Sequence, residues 1–90
     1  MNSLVLITRK GCCLCEGLGQ KLAALAPAPA VVVIDVDTEP ALLHRYGLEV
    51  PVLLLRSSAG DRELPRVPPR LAGAGLQVWL QKQGFFGQEA

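Results

Sequence analysis

Three cysteines within four positions are the residues of this 90-residue chain whose types and spacing could do chemistry. Cys12, Cys13 and Cys15 lie near the amino terminus, and the chain contains no other cysteine. A structural disulfide stabilises a small domain by joining residues that are distant in sequence, so this cluster is not a structural disulfide framework. Cysteines grouped so closely indicate either redox chemistry or metal binding.

The position of the cysteines favours a reactive thiol at Cys12. They follow a short apolar strand and precede a helix that is predicted to begin near Leu14. The first N–H groups of a helix have no acceptor within it, and the helix dipole adds partial positive charge, so a thiolate there is stabilised. Arg9 and Lys10 would further lower the pKa of Cys12 or bind a substrate carboxylate. Cys15 lies about one helical turn further on, within reach of a disulfide formed at Cys12.

Composition excludes several classes of function. Half of the residues are hydrophobic and the net charge is +1, so we expect one globular domain over residues 1–90 that binds neither nucleic acid nor membranes. No apolar run approaches the length of a membrane span. Residues 1–7 lack the basic start and the cleavage site of a signal peptide, which predicts a cytoplasmic protein.

Hydrophobic periodicity predicts the element order β-α-β-α-β-β-α, an α/β fold. Strands are expected at residues 4–8, 31–35, 52–56 and 62–66, and helices from about residues 14, 40 and 69. The second strand is apolar throughout, which predicts burial on both faces. The expected buried faces of the first and last helices consist of Leu14, Leu18, Leu22 and Leu25, and of Leu71, Ala74, Val78 and Trp79 respectively. Residues 84–90 are expected to form a mobile tail.

Two segments resemble the glutaredoxin-like group of the thioredoxin superfamily. Residues 8–16, Thr-Arg-Lys-Gly-Cys-Cys-Leu-Cys-Glu, are similar to that group's motif around its C-x-x-C pair. Residues 46–53, Tyr-Gly-Leu-Glu-Val-Pro-Val-Leu, resemble the segment that carries its Val-Pro dipeptide. The resemblance extends over about residues 4–80.

The resemblance implies both a fold and a mechanism. It implies a thioredoxin-like fold, with a four-stranded mixed sheet flanked by three helices and with Pro51 in a cis peptide bond beside the cysteines. Cys12 would attack a disulfide and Cys15 would resolve the mixed disulfide, while Val50, Pro51 and Lys10 would bind the substrate. Arg9 and Cys13 are possible modulators, although Cys13 is more simply read as a spectator. The expected partner of this monomer is a protein or a low-molecular-weight disulfide or dithiol, with no metal and no resident cofactor.

One departure from the resemblance concerns glutathione. Glutaredoxins hold glutathione with a Gly-Gly-x-x-Asp segment before the last helix, whereas residues 66–70 here read Arg-Val-Pro-Pro-Arg. Two prolines remove two backbone donors, so glutathione is expected to bind weakly as a co-substrate.

Two alternatives to an enzyme remain open from the sequence. The clustered thiols could serve a carrier of zinc, copper or an iron–sulfur cluster. The chain could also be a redox-inactive interaction module with the same fold.

Overall fold

The computed structural model describes residues 3–26, 28–68 and 70–85. Within these residues, four strands and three α-helices follow one another in the predicted order, and one short 3-10 helix that was not predicted lies between the second strand and the second α-helix. The strands are β1 (Ser3–Thr8), β2 (Val31–Asp35), β3 (Val52–Ser57) and β4 (Gly60–Glu63). The helices are α1 (Cys13–Ala23), α2 (Pro40–Tyr46) and α3 (Gly73–Lys82), and the 3-10 helix is Val36–Thr38.

The strands form one mixed sheet in the order β2-β1-β3-β4. β1 pairs in parallel with β2 and antiparallel with β3, and β3 pairs antiparallel with β4. Residues of β1 supply both faces of the sheet with core side chains, because alternate residues of a strand point to opposite sides. Leu4 and Leu6 belong to one buried cluster, with Leu22, Leu76 and Leu80 among its members. Val5 and Ile7 belong to the other, with Val36, Tyr46 and Val52.

β2 is not buried on both faces as its composition predicts. It is an edge strand, and Val32 and Val33 are 44% and 62% exposed. The run of valines specifies a strand through its β-branched side chains, but burial depends on what packs against the strand. Because β2 pairs with β1 alone, it lies at the outside of the sheet.

The expected buried face of α1 is correct except at its start. Leu18, Leu22 and Leu25 are buried, Leu25 just beyond the end of the helix, whereas Leu14 is 63% exposed. Leu14 lies in the first turn and lines a surface cavity beside the cysteines instead of joining the core.

The predictions for β4 and α3 require correction. β4 ends at Glu63, so Pro65 lies outside the ladder, to which it has no N–H to donate. α3 begins at Gly73, and its fully buried residues are Leu76 and Leu80, while Ala74 and Val78 are exposed and Trp79 packs partly buried against the core. The helix starts later than predicted, and its contacts with the sheet select a different face.

The carboxyl-terminal segment joins the core before the described residues end. Phe85 is 7% exposed and belongs to the same cluster as Leu76 and Leu80, so it is not part of a mobile tail. The rest of that expected tail, residues 86–90, lies outside the described residues. Within the part of the chain that the structure describes, no helix is long and apolar enough to cross a membrane.

Candidate active site

The Cys12 and Cys15 sulfurs are joined in a disulfide at the amino-terminal end of α1. The Cα atoms of the two residues lie 5.2 Å apart. Cys12 is the N-cap residue of α1, and the backbone N–H of Cys15 donates a hydrogen bond to the Cys12 sulfur over 3.1 Å. The helix start therefore directs a donor at this sulfur, which is the arrangement that stabilises a thiolate.

The three cysteines differ in their access to solvent. Cys12 is half-buried, Cys15 is only 3% exposed, and Cys13 is an exposed free thiol. An incoming disulfide can therefore reach Cys12, whereas Cys15 can reach little besides Cys12.

The turn that presents Cys12 depends on Gly11. Its φ is +78°, a left-handed conformation that side-chain-bearing residues rarely adopt. The N–H of Cys12 donates to the carbonyl oxygen of Arg9 over 3.1 Å and closes the turn. Chain direction thus reverses from β1 into α1 within a few residues.

Strand pairing brings a second loop to the same edge of the sheet. Ile7 of β1 is paired with Val52 of β3, so the residues after β1 lie beside those before β3. The Val50–Pro51 peptide bond in this position is cis. Val50 packs partly buried against the core cluster of Val5 and Ile7.

A surface cavity of about 220 Å³ opens between the start of α1 and the loop that contains Pro51. Cys13, Leu14 and Lys21 line it from α1, and Pro51 lines it from the opposite side. The segment from Leu64 to Pro68, between β4 and α3, forms another wall. Glu49, Glu63 and Arg66 add charges of both signs. Neither Lys10 nor Val50 is among the cavity's lining residues.

Sequence reasoning did not assign Leu14, Lys21, Glu49 or Glu63 to this site. They come from three different segments of the chain, namely α1, the turn before β3 and the end of β4, and only folding brings them to one cavity. The resemblance predicts that residues 66–70 lie where glutaredoxins bind glutathione, and of these Arg66, Val67 and Pro68 line the cavity.

The two basic residues before the cysteines lie in different surroundings. Lys10 is exposed in the turn. The Arg9 guanidinium donates from Nε to Asp37 Oδ2 and from Nη1 to the carbonyl oxygen of Gly47, each over 3.2 Å.

Tyr46 connects the end of α2 to the end of β4. Its hydroxyl donates to Glu63 Oε1 over 3.2 Å, and Arg45 lies over its ring, 5.3 Å from the centroid. Burial first, and then the negative charge of Glu63, raise the pKa of Tyr46 above its usual value of 10.0. Tyr46 therefore stays a neutral hydrogen-bond donor over a wide range of pH.

A metal site is not formed by the three cysteines in this conformation. Among residues 3–26, 28–68 and 70–85, no group of three or more His, Cys, Asp or Glu side chains is arranged to hold a metal ion.

Comparisons with known proteins agree with this geometry. The family described as "Glutaredoxin-like domain (DUF836)" matches residues 3–81. No curated protein is significantly similar in sequence.

Solved structures are similar over most of the chain. The crystal structure of the structural genomics target protein XcR50 from X. campestris is 34% identical, with a TM-score of 0.60, over 89% of this chain and 97% of that one. A solution structure of XcR50 is 36% identical, with a TM-score of 0.61, over 89% and 94%. A structure described as that of a malarial protein is 13% identical, with a TM-score of 0.59 over 94% and 99%, and shows the fold alone.

Proposed function

The chain belongs to the glutaredoxin-like domain family, and from this we propose that it is a thiol–disulfide oxidoreductase. The observation that carries the proposal is the Cys12–Cys15 disulfide at the start of α1, with one sulfur accessible and the other buried. A disulfide that joins residues three apart contributes little to stability, because the loop it closes is short. In disulfide exchange, the same bond is formed and broken as electrons pass to or from a substrate.

In the reaction that we propose, the reduced protein passes two electrons to a substrate disulfide. The Cys12 thiolate attacks one substrate sulfur, forms a mixed disulfide and releases the other sulfur as a thiolate that takes up a proton. Cys15 then loses its proton and attacks the Cys12 sulfur, which forms the Cys12–Cys15 disulfide and releases the second substrate thiol. The reverse sequence oxidises a dithiol.

The order of attack follows from exposure and hydrogen bonding. Cys12 is the more accessible sulfur and accepts the N–H of Cys15, so the developing thiolate is stabilised where it meets the substrate. The Cα atoms of Cys12 and Cys15 lie 5.2 Å apart, so the resolving attack is an intramolecular step between groups that are already close.

For the substrate we propose a protein or a low-molecular-weight disulfide that docks against Val50 and Pro51, with Lys10 pairing with a carboxylate. Pro51 lies on the wall of the cavity beside Cys13, so a bound segment would pass close to the cysteines. We propose that the chain acts as a monomer in the cytosol and needs neither a resident cofactor nor a membrane. A reducing compartment keeps an exposed thiol such as Cys13 free.

Glutathione is proposed to be a poor co-substrate. Pro68 lines the cavity and has no N–H, and Pro69 follows it in the sequence. Two lost charge-assisted bonds of roughly 1.5–3 kcal/mol each weaken binding by more than tenfold. Exposed ion pairs from Lys21 or Arg66 to the ligand's carboxylates return at most about 1 kcal/mol each.

The test uses Cys15→Ser, which stops the reaction at the mixed disulfide. We expect the variant to hold a small protein disulfide, such as that of insulin, covalently at Cys12, and to hold less glutathione when it is incubated with oxidised glutathione. Mass spectrometry identifies the adduct and its site. Cys12→Ser is the matched control and should trap neither compound at this site. Absence of any adduct on Cys15→Ser, together with no turnover by the natural sequence, would show that the protein is not an oxidoreductase.

A parallel measurement addresses glutathione. A glutathione-dependent disulfide assay is run beside one coupled to thioredoxin reductase. Turnover with glutathione at the level of an ordinary glutaredoxin would contradict the weak binding.

A further inference from the structure

We propose that Arg9 is a positioning residue, which holds the turn before Val50 and Pro51 against the cysteine loop. This inference rests on the proposed function, because the turn matters only if a substrate docks there. It assigns Arg9 a role different from tuning the Cys12 thiol by charge or binding a substrate carboxylate.

The sheet brings three loops to the place where Arg9 acts. Thr8 of β1 is paired with Asp35 of β2, so Arg9 and the 3-10 helix that contains Asp37 both follow at the same edge. The antiparallel pairing of Ile7 with Val52 brings the segment before β3 to that edge as well. Arg9 therefore stands between two segments that are 28 and 38 residues away in sequence.

The Arg9 guanidinium joins the segment of Asp37 to the segment of Gly47 through donors on two different nitrogens. Nε donates to the carboxylate of Asp37, while Nη1 donates to the carbonyl oxygen of Gly47, each over 3.2 Å. The side chains of Arg9 and Asp37 are 42% and 43% exposed. A lysine keeps the charge in the same place, but its three N–H donors share one nitrogen and rotate together, so they do not reproduce the separated Nε and Nη1 donors that make the two contacts.

The turn formed by residues 47–49 needs this support because side-chain packing at its apex contributes little stability. Leu48 at the apex is 98% exposed. The turn is held through its backbone: Glu49 N–H donates to the carbonyl oxygen of Tyr46 over 2.8 Å. Arg9 holds the carbonyl of Gly47, and Arg66 Nη2 approaches the carbonyl of Glu49 at 3.4 Å. The Arg9 bond is the shorter of these two, and the Asp37 carboxylate fixes the direction of its guanidinium.

If Arg9 acted instead through the effect of its charge on Cys12, the Arg9 variants would behave differently. Asp37 offsets the positive charge of Arg9, which reduces its influence on a thiolate at Cys12. Charge tuning would be kept by Arg9→Lys, whereas positioning of the turn would be lost.

The experiment compares Arg9→Gln and Arg9→Lys with the natural sequence. For reduction of a protein disulfide we expect both variants to raise KM about fivefold, the factor lost with one exposed charged contact, with kcat changed less. The pKa of the Cys12 thiol in the reduced protein should stay the same. Asp37→Asn, which leaves Arg9 in place but weakens its anchor, should raise KM by a smaller factor.

Arg56→Gln is the matched control. Arg56 pairs with Asp61 over 3.1 Å in the hairpin of β3 and β4, with exposure similar to that of the Arg9 pair. It lies near the end of β3 that is remote from Pro51. This variant removes the same charge and the same kind of contact, and KM should not change.

A second readout does not depend on activity. Hydrogen exchange of the Glu49 amide, measured by NMR, should be faster in Arg9→Gln and Arg9→Lys and unchanged in Arg56→Gln. If the natural sequence shows no disulfide exchange, the proposed function fails while this measurement still tests the positioning role. Unchanged exchange at Glu49 in both Arg9 variants would overturn the proposal. So would an Arg9→Lys variant with natural KM, together with a shifted Cys12 pKa in Arg9→Gln.

Discussion

At the scale of single residues, the three cysteines have unequal surroundings despite being near neighbours. Cys12 caps α1 and accepts the N–H of Cys15, while Cys13 is exposed with a free thiol. Exposure alone would make Cys13 the first thiol to react. Hydrogen bonding at the helix start favours Cys12, because the thiolate is the nucleophile in exchange and alkylation.

We predict that Cys12 of the reduced protein reacts first with iodoacetamide near neutral pH. Cys12→Ser should abolish disulfide exchange, and Cys13→Ser should retain most of it. Peptide mapping after brief alkylation identifies the cysteine that reacts first. Turnover of a protein disulfide measures the activity that each Ser variant retains. A loss of activity in Cys13→Ser as large as that in Cys12→Ser would show that Cys13 participates in the reaction.

At the scale of elements, the hydrogen bond from Tyr46 to Glu63 joins α2 to the end of β4. Burial and the charge of Glu63 raise the pKa of Tyr46, so the folded state holds this proton more tightly than the unfolded chain does. The resulting stabilisation is present below pH 10, the unfolded value, and is lost as the pH rises through the higher folded value.

We predict that Tyr46→Phe lowers the free energy of unfolding at pH 7 by about 1 kcal/mol, the net contribution of one hydrogen bond. The difference between the two proteins should shrink above pH 10, as Tyr46 ionises in the natural sequence. Urea unfolding at several pH values between 7 and 11 measures both. Equal alkaline losses of stability in the two proteins would show that Tyr46 does not account for the pH dependence.

At the scale of the whole molecule, the carboxyl-terminal segment closes the core against the sheet. The N–H of Phe85 donates to the carbonyl oxygen of Leu80 over 3.0 Å, and its ring packs in the cluster that includes Leu4 and Leu76. Arg62 of β4 donates to the carbonyl oxygen of Gln83. Gln83 and Phe85 therefore attach the segment after α3 to the sheet by hydrogen bonding and by packing.

We predict that Phe85→Ala lowers the free energy of unfolding by about 3–5 kcal/mol, the usual loss for a buried phenylalanine. Val33→Ala, at a position 62% exposed on β2, is the control and should stay within about 0.5 kcal/mol of the natural sequence. Denaturant unfolding with fluorescence detection of Trp79 measures both variants. A loss below 1 kcal/mol for Phe85→Ala would place its ring outside the core.

The sequence by itself determined the order of the elements and the place of the cysteines at a strand–helix junction. Both depend on local chemistry: β-branched runs favour strands, and apolar residues at helical spacing favour helices. The two motif segments also identified the family.

Only the tertiary structure decided which faces of those elements are buried and which distant residues meet. Composition predicted a covered β2, yet strand order placed it at the edge. Periodicity predicted a helix near residue 70, but contacts with the sheet turned Leu76 and Leu80 inward in place of Ala74 and Val78. Arg9 precedes the cysteines in sequence, and its partners Asp37 and Gly47 reach it only because three loops end at one edge of the sheet. Local sequence patterns encode the periodicity of a helix or a strand. The contacts of Arg9 with Asp37 and Gly47 join residues far apart in sequence, so they depend on how the strands pair.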